Sequence, residues 1–142
     1  MANVVATWVT SLILGQRDVK ARAGLVKYFT QTAMVCYHNL CVGNSGWRDT
    51  ADMKELRNLN NFSSMASIMA GLNSAPVLRL KRTKDMVSQK TQALKVELDR
   101  VLDSGKNFQN YKNMLKTINP PCVPFFGELL DEVAENYANW RS

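Results

Sequence analysis

Residues 61–72 constrain the fold of this chain more than any other stretch. Phe62, Ala66, Met69 and Asn73 fall on one line at the 3.6-residue helical period, and Met65, Ile68 and Leu72 fall on a second line beside it. A helix apolar over so wide an arc has two options. It can lie at the centre of a helical domain and touch core on both sides. Or it can bury one row and offer the other as a broad apolar binding surface, a role that suits methionine. Both stay open on these residues alone. The helix runs into Gly71-Leu72-Asn73-Ser74-Ala75-Pro76 and then the basic run Arg79-Leu80-Lys81-Arg82.

Elsewhere helix signals recur and strand signals are weak, so the expected class is all-α, an irregular helical domain over residues 1–142 rather than a bundle of equal helices. A first helix is expected over residues 3–14, closed by Gly15 as a C-terminal cap. Asp18 can cap a second, on which Leu25, Phe29, Thr32, Cys36 and Leu40 form a stripe. Residues 42–49, with Gly43, Asn44, Ser45 and Gly46, read as the clearest loop, and a short helix follows Thr50. Residues 87–102 carry Val87, Leu94, Leu98, Val101 and Leu102 at helical spacing, and Gly105 follows. Asn107 can cap the next helix, which ends near Ile118 because Pro120 and Pro121 exclude continuation. A last helix is expected from Phe125 to about Asn139. The segment Pro120-Pro121-Cys122-Val123-Pro124 restricts the backbone and reads as structural.

Composition removes several function classes. Hydrophobic residues make up 46% and charged residues 21% of 142, the balance of a soluble globular domain. No apolar run is long enough to span a bilayer, and the start lacks the features of a signal peptide. The expectation is a cytoplasmic protein, with recruitment to the inner membrane surface left open. Cys36, Cys41 and Cys122 are odd in number and show no metal-ligand spacing with the single His38, so packed, reduced thiols are expected. There is no glycine-rich phosphate loop, zinc spacing or nucleophile motif. We therefore expect no catalytic residue for bond chemistry, no metal and no cofactor.

The net charge of +6 is unevenly placed. Arg79, Lys81, Arg82, Lys84, Lys90 and Lys95 stand against Asp85 alone in one block, whereas residues 128–142 are acidic. Such a block suits phosphate, anionic lipid or an acidic protein surface, or it is simply a solvated helix face. It has no interleaved aromatics, so nucleic acid is not expected as a partner, and membrane contact is expected to be peripheral at most.

Leu59-Asn60-Asn61-Phe62-Ser63-Ser64, the hydrophobic helix after it and Leu72-Asn73-Ser74-Ala75-Pro76-Val77-Leu78-Arg79-Leu80-Lys81-Arg82-Thr83 together resemble the catalytic domain of the Ras-type guanine-nucleotide exchange factors. Further matches are Ala6-Thr7-Trp8-Val9, Asp18-Val19-Lys20-Ala21-Arg22, Val26-Lys27-Tyr28-Phe29, Asn107-Phe108-Gln109-Asn110-Tyr111-Lys112 and Asn119-Pro120-Pro121-Cys122-Val123-Pro124-Phe125-Phe126-Gly127. The resemblance implies a Ras-family small GTPase as partner and release of its GDP by binding the nucleotide-free form. Carried over by position, it implies that Met69, Ala70, Asn73, Ser74 and Leu78 touch the GTPase, with Asn107 and Phe108 beside them and Lys27 on the second helix. At Leu78 the family often has an aromatic residue.

In the family, a platform grips one switch region while a projecting helical hairpin levers the other. The sequence here departs from the pattern after Gly127 and has extra residues between Cys36 and Asn61. The expectation from this is a shortened form with the platform and without the lever, which binds its GTPase but exchanges nucleotide weakly. Uncovered apolar faces would favour a homo-oligomer or a dimer swapped through residues 42–49. The alternative is a GTPase-binding or self-associating module without exchange activity.

Overall fold

The computed structural model describes residues 2–37, 60–118 and 122–125. Helix α1 (Ala2–Gly15) is followed by α2 (Val19–Tyr37), which Asp18 caps by accepting from the Ala21 N–H at 2.8 Å. Helix α3 (Phe62–Leu72) starts at Asn61, whose side-chain oxygen accepts from the Ser64 N–H at 3.0 Å. Two short helices come next, α4 (Ala75–Leu78) and α5 (Lys81–Met86). Helix α6 (Gln89–Val101) is capped by Ser88, whose hydroxyl accepts from the Thr91 N–H at 3.3 Å. A 3-10 turn (Ser104–Lys106) leads to α7 (Gln109–Leu115). The described residues are all-α, as expected.

The core answers the question left open for α3. Phe62, Ala66 and Met69 of one row and Met65, Ile68 and Leu72 of the other are all buried. Both rows therefore face core, and the second option, one row offered as a broad apolar surface, does not hold for this helix. Helix α1 brings Val9 and Ile13 against α3 from one side, and α2 brings Phe29, Ala33 and Cys36 from the other. Leu98 and Val101 of α6 and Tyr111 of α7 complete the core. The approach of α1 is close enough to require glycine. A Cβ at Gly71 would stand 2.8 Å from the Ala6 carbonyl oxygen and 2.8 Å from Val9 Cβ.

Residues 122–125 dock at the start of α3. Val123 forms an isolated parallel bridge with Asn61, accepts from the Phe62 N–H at 3.0 Å and donates to the Asn60 carbonyl at 3.2 Å. Asn60 adopts a left-handed conformation (φ 43°), which asparagine tolerates better than most residues. The buried Tyr111 hydroxyl accepts from the Phe125 N–H at 2.7 Å, and Phe108, Tyr111, Phe125 and Phe62 form a chain of ring contacts. Residues 122–125 thus serve packing at the start of α3.

Two caps differ from expectation. Helix α1 ends at Gly15, but no described glycine has positive φ; instead the Gln16 N–H donates to the Ile13 carbonyl at 3.4 Å. Asn107 does not cap α7 through its side chain. It and Phe108 are both left-handed (φ 48° and 50°), Phe108 takes the capping position, and the helix closes at Leu115 rather than near Ile118. Cys36 and Cys122 are free thiols. The expected loop over residues 42–49, the helix after Thr50, the last helix, His38 and Cys41 lie outside the described residues, as does the acidic stretch 128–142.

Candidate functional site: a cleft at the end of the central helix

The chain reverses twice between α3 and α6, and the reversals leave an open space. Asn73 ends α3, its N–H donating to the Met69 carbonyl at 2.9 Å. Pro76 in the first turn of α4 starts a new helix at once, since its fixed φ suits that position and its missing N–H has no partner to lose there. Leu80 breaks the chain again before α5. The result is a cleft of about 270 Å³ between α3, α4, α5 and α6, with Val26 of α2 at its back. Leu72, Val77, Leu78, Leu80, Val87 and Val96 make its walls apolar, and Lys84, Lys95 and Asp99 place charge at its edge.

The floor carries one polar oddity. Thr83 is 2% exposed, lines the cleft, and its hydroxyl has no hydrogen-bond partner. A buried unsatisfied hydroxyl costs about 1–3 kcal/mol, so a polar atom brought into the cleft would find a partner there. The mouth is better satisfied. Asn73 Nδ2 donates to Asp99 Oδ1 at 2.7 Å, and Lys95 Nζ donates to Asn73 Oδ1 and to Asp99 Oδ2 at 2.9 Å. On the α1 side, the Thr10 hydroxyl bridges the Gly71 carbonyl at 3.2 Å and Ser74 Oγ at 3.1 Å, which fixes the turn between α3 and α4.

The residues expected to meet a GTPase are spread over different settings. Leu78 is 54% exposed and lines the cleft, and Asn73 is exposed and hydrogen-bonded to the lining residues Lys95 and Asp99. Ser74 is half-buried and tied to Thr10. Ala70 is exposed on the outer face of α3. Met69 is different: at 1% exposure it belongs to the core, and in this structure its side chain is not offered to a partner. Lys27 is exposed on α2, next in sequence to the cleft residue Val26. Asn107 is exposed, while Phe108 is half-buried against Phe125, in the aromatic chain that ends at Phe62. The structure thus gathers Asn73 and Leu78 at one cleft and places Phe108 in a separate cluster.

Sequence reasoning missed Thr10, Thr83 and Asp99. The last had a local signal, since Lys95 and Asp99 are spaced four apart on a helix and form an ion pair. The basic residues Arg79, Lys81, Arg82, Lys84 and Lys90 are exposed along α4, α5 and the start of α6. Burial pushes the Cys36 thiol up to about 11, and pushes Tyr111 and Cys122 in the same direction. Cys36 on α2, Tyr111 on α7 and Cys122 in the segment docked at α3 all pack in or against the core and are absent from the cleft lining. Among the described residues no group of His, Cys, Asp or Glu could hold a metal ion, and no helix is long and apolar enough to cross a membrane.

A cleft with apolar walls and charged residues in its lining lies at the turn after a buried central helix, in the segment that carries the strongest sequence signature. Comparison with known proteins agrees with that signature. The profile of the RasGEF domain matches residues 1–140, and the chain belongs to this family. It is 35% identical over 133 residues to cell division control protein 25 of Saccharomyces cerevisiae, covering 93% of the chain and 7% of that protein. It is 31% identical to Ras guanine nucleotide exchange factor J of Dictyostelium discoideum, covering 92% of the chain and 14% of the relative. The figures for Ras guanine nucleotide exchange factor efc25 of Schizosaccharomyces pombe are 30%, 93% and 11%. The chain therefore spans only a small part of the length of these relatives.

Proposed function

We propose that this domain promotes GDP release from a Ras-family small GTPase by binding the nucleotide-free form, with the cleft at the end of α3 as part of its docking surface. The observation that carries the reading is the placement of Leu78 and Asn73: the exposed Leu78 lines an open apolar cleft, and the exposed Asn73 carboxamide is hydrogen-bonded to two residues of that lining, Lys95 and Asp99, within the segment that resembles the family most closely. Ala70, Ser74 and Lys27 extend the proposed contact, while Met69 supports it from the core. Asn107 and Phe108 form a second proposed contact region.

The thermodynamic task is severe. A picomolar nucleotide is held by about 16 kcal/mol, and a protein displaces it only if it prefers the empty GTPase by a comparable factor. Linkage makes the effect mutual, so returning nucleotide expels the exchange factor by the same ratio. Apolar burial in the cleft supplies binding energy, and oriented polar groups at its mouth supply register. The domain would act on the cytoplasmic side of the membrane, where the exposed basic residues of α4 and α5 permit peripheral contact with anionic lipid.

Release of a fluorescent GDP analogue from a panel of Ras-family GTPases, with the chain in excess, tests this. Acceleration for at least one member supports exchange. Binding to the nucleotide-free form without acceleration makes the domain a GTPase-binding module instead. Neither binding nor acceleration for any member overturns the reading.

A further inference from the structure

Asn73 is held from one side by two charges of opposite sign. Asp99 Oδ1 accepts from its Nδ2 at 2.7 Å, Lys95 Nζ donates to its Oδ1 at 2.5 Å, and Lys95 Nζ lies 2.9 Å from Asp99 Oδ2. The three side chains close a ring. A free carboxamide exchanges the places of its oxygen and nitrogen at small cost. In this ring the exchange would set the NH₂ group against the ammonium and the carbonyl oxygen against the carboxylate, so the charges select one orientation. The ring uses one of the two N–H donors and one of the two acceptor sites of the amide. Asn73 is exposed, and the remaining donor and acceptor are open to a partner in a fixed arrangement.

We propose that Lys95 and Asp99 are positioning residues that hold the Asn73 amide in a single orientation at the cleft mouth for hydrogen bonding to the GTPase. This rests on the functional reading above for the identity of the partner. The pair sits on one helix at four-residue spacing, with side chains 23% and 38% exposed, so solvent screens the charges in part and their hold on the amide comes chiefly through the direct hydrogen bonds. Fixing the amide before association removes the cost of ordering it at the interface. Register follows as well, because a wrongly seated partner would meet a donor where it needs an acceptor.

The test uses the 142-residue chain with Asp99→Asn, Lys95→Gln and Asn73→Ala, singly and combined. Affinity for a nucleotide-free GTPase is titrated, and the Asn73 side-chain amide is followed by ¹H–¹⁵N NMR in the free chain. Asp99→Asn is expected to weaken binding about fivefold to tenfold on its own, and by less than about twofold when Asn73 is already alanine. The Asn73 amide should be ordered in the parent chain and mobile in Asp99→Asn and Lys95→Gln, with the thermal midpoint little changed. Equal losses with and without Asn73 would show that the charges act directly on the partner, and would overturn the proposal. An amide equally mobile in parent and variants would overturn it too. If the parent chain binds no nucleotide-free GTPase, the functional reading falls and the partner with it, while the amide spectrum still upholds or overturns the orientation claim.

Discussion

Leu78 leaves 54% of its surface in water while lining an apolar cleft, so a partner seated in the cleft would remove apolar surface from water on both sides. Leu78→Asp is expected to weaken binding to nucleotide-free GTPase at least about tenfold, or about 1.4 kcal/mol, because a desolvated carboxylate would face Val77 and Val96. Its thermal midpoint should stay close to that of the parent, since little packing is lost from an exposed site. A fall in both together would mark Leu78 as structural. At Gly71 two effects compete. Alanine favours a helix by up to about 1 kcal/mol over glycine, but the new methyl group would meet Ala6 and Val9 of α1 at 2.8 Å, and overpacking costs about 1–3 kcal/mol. The backbone oxygen of Ala6 cannot step aside as a side chain can, so Gly71→Ala should lower stability in urea unfolding; a gain would mean that α1 moves freely. Cys36 sets an alkaline limit. Its thiol rises from 9.0 to about 11 in the folded chain, so between those values the unfolded state gives up a proton that the native state keeps. Stability falls as pH climbs from 9 to 11, by about 3 kcal/mol if the shift is complete, and Cys36→Ala should flatten that slope in urea titrations.

At the scale of elements, the long helices were legible because their signals are local. Asp18 and Asn61 are short polar residues ahead of apolar periodic runs, and each accepts the N–H three residues on. Ser88→Ala should cost about 1 kcal/mol, read from urea midpoints, because it removes the acceptor for the Thr91 N–H at the start of α6. Helices α4 and α5 were not legible, since four and six residues are too few to show a period. The left-handed pair Asn107–Phe108 was also hidden: a phenylalanine in that conformation is held by its contact with Phe125, which no local pattern reveals. The choice between the two roles of α3 depended on where α1 packs, a tertiary fact. Gly71 was its only local trace, and a glycine near a helix end can equally mark the point where the helix stops.

At the scale of the molecule, the family was legible from runs of residues on both sides of the central helix, and the candidate site only in part. Leu78 lines the cleft and Asn73 is bonded to its lining residues Lys95 and Asp99, whereas Met69 is in the core, because carrying a role over by position does not say which way a side chain points. The Lys95–Asp99 pair had a local signal in its four-residue spacing, but the contact of Asp99 with Asn73 spans 26 residues, beyond the reach of sequence pattern. The proposed docking at this place has a basis in the fold. A buried central helix gives the following turn a rigid base, and α4 and α6 wall a cleft whose energy comes from apolar burial and whose register comes from Asn73. The central claim is a preference for the empty GTPase, and it is tested most directly by titrating one GTPase, nucleotide-free and GDP-loaded, with this chain by calorimetry. The account predicts affinity for the empty form at least about a hundredfold greater, and less so for Leu78→Asp. Equal affinity for the two forms would contradict it, since a ligand that does not discriminate between states shifts neither.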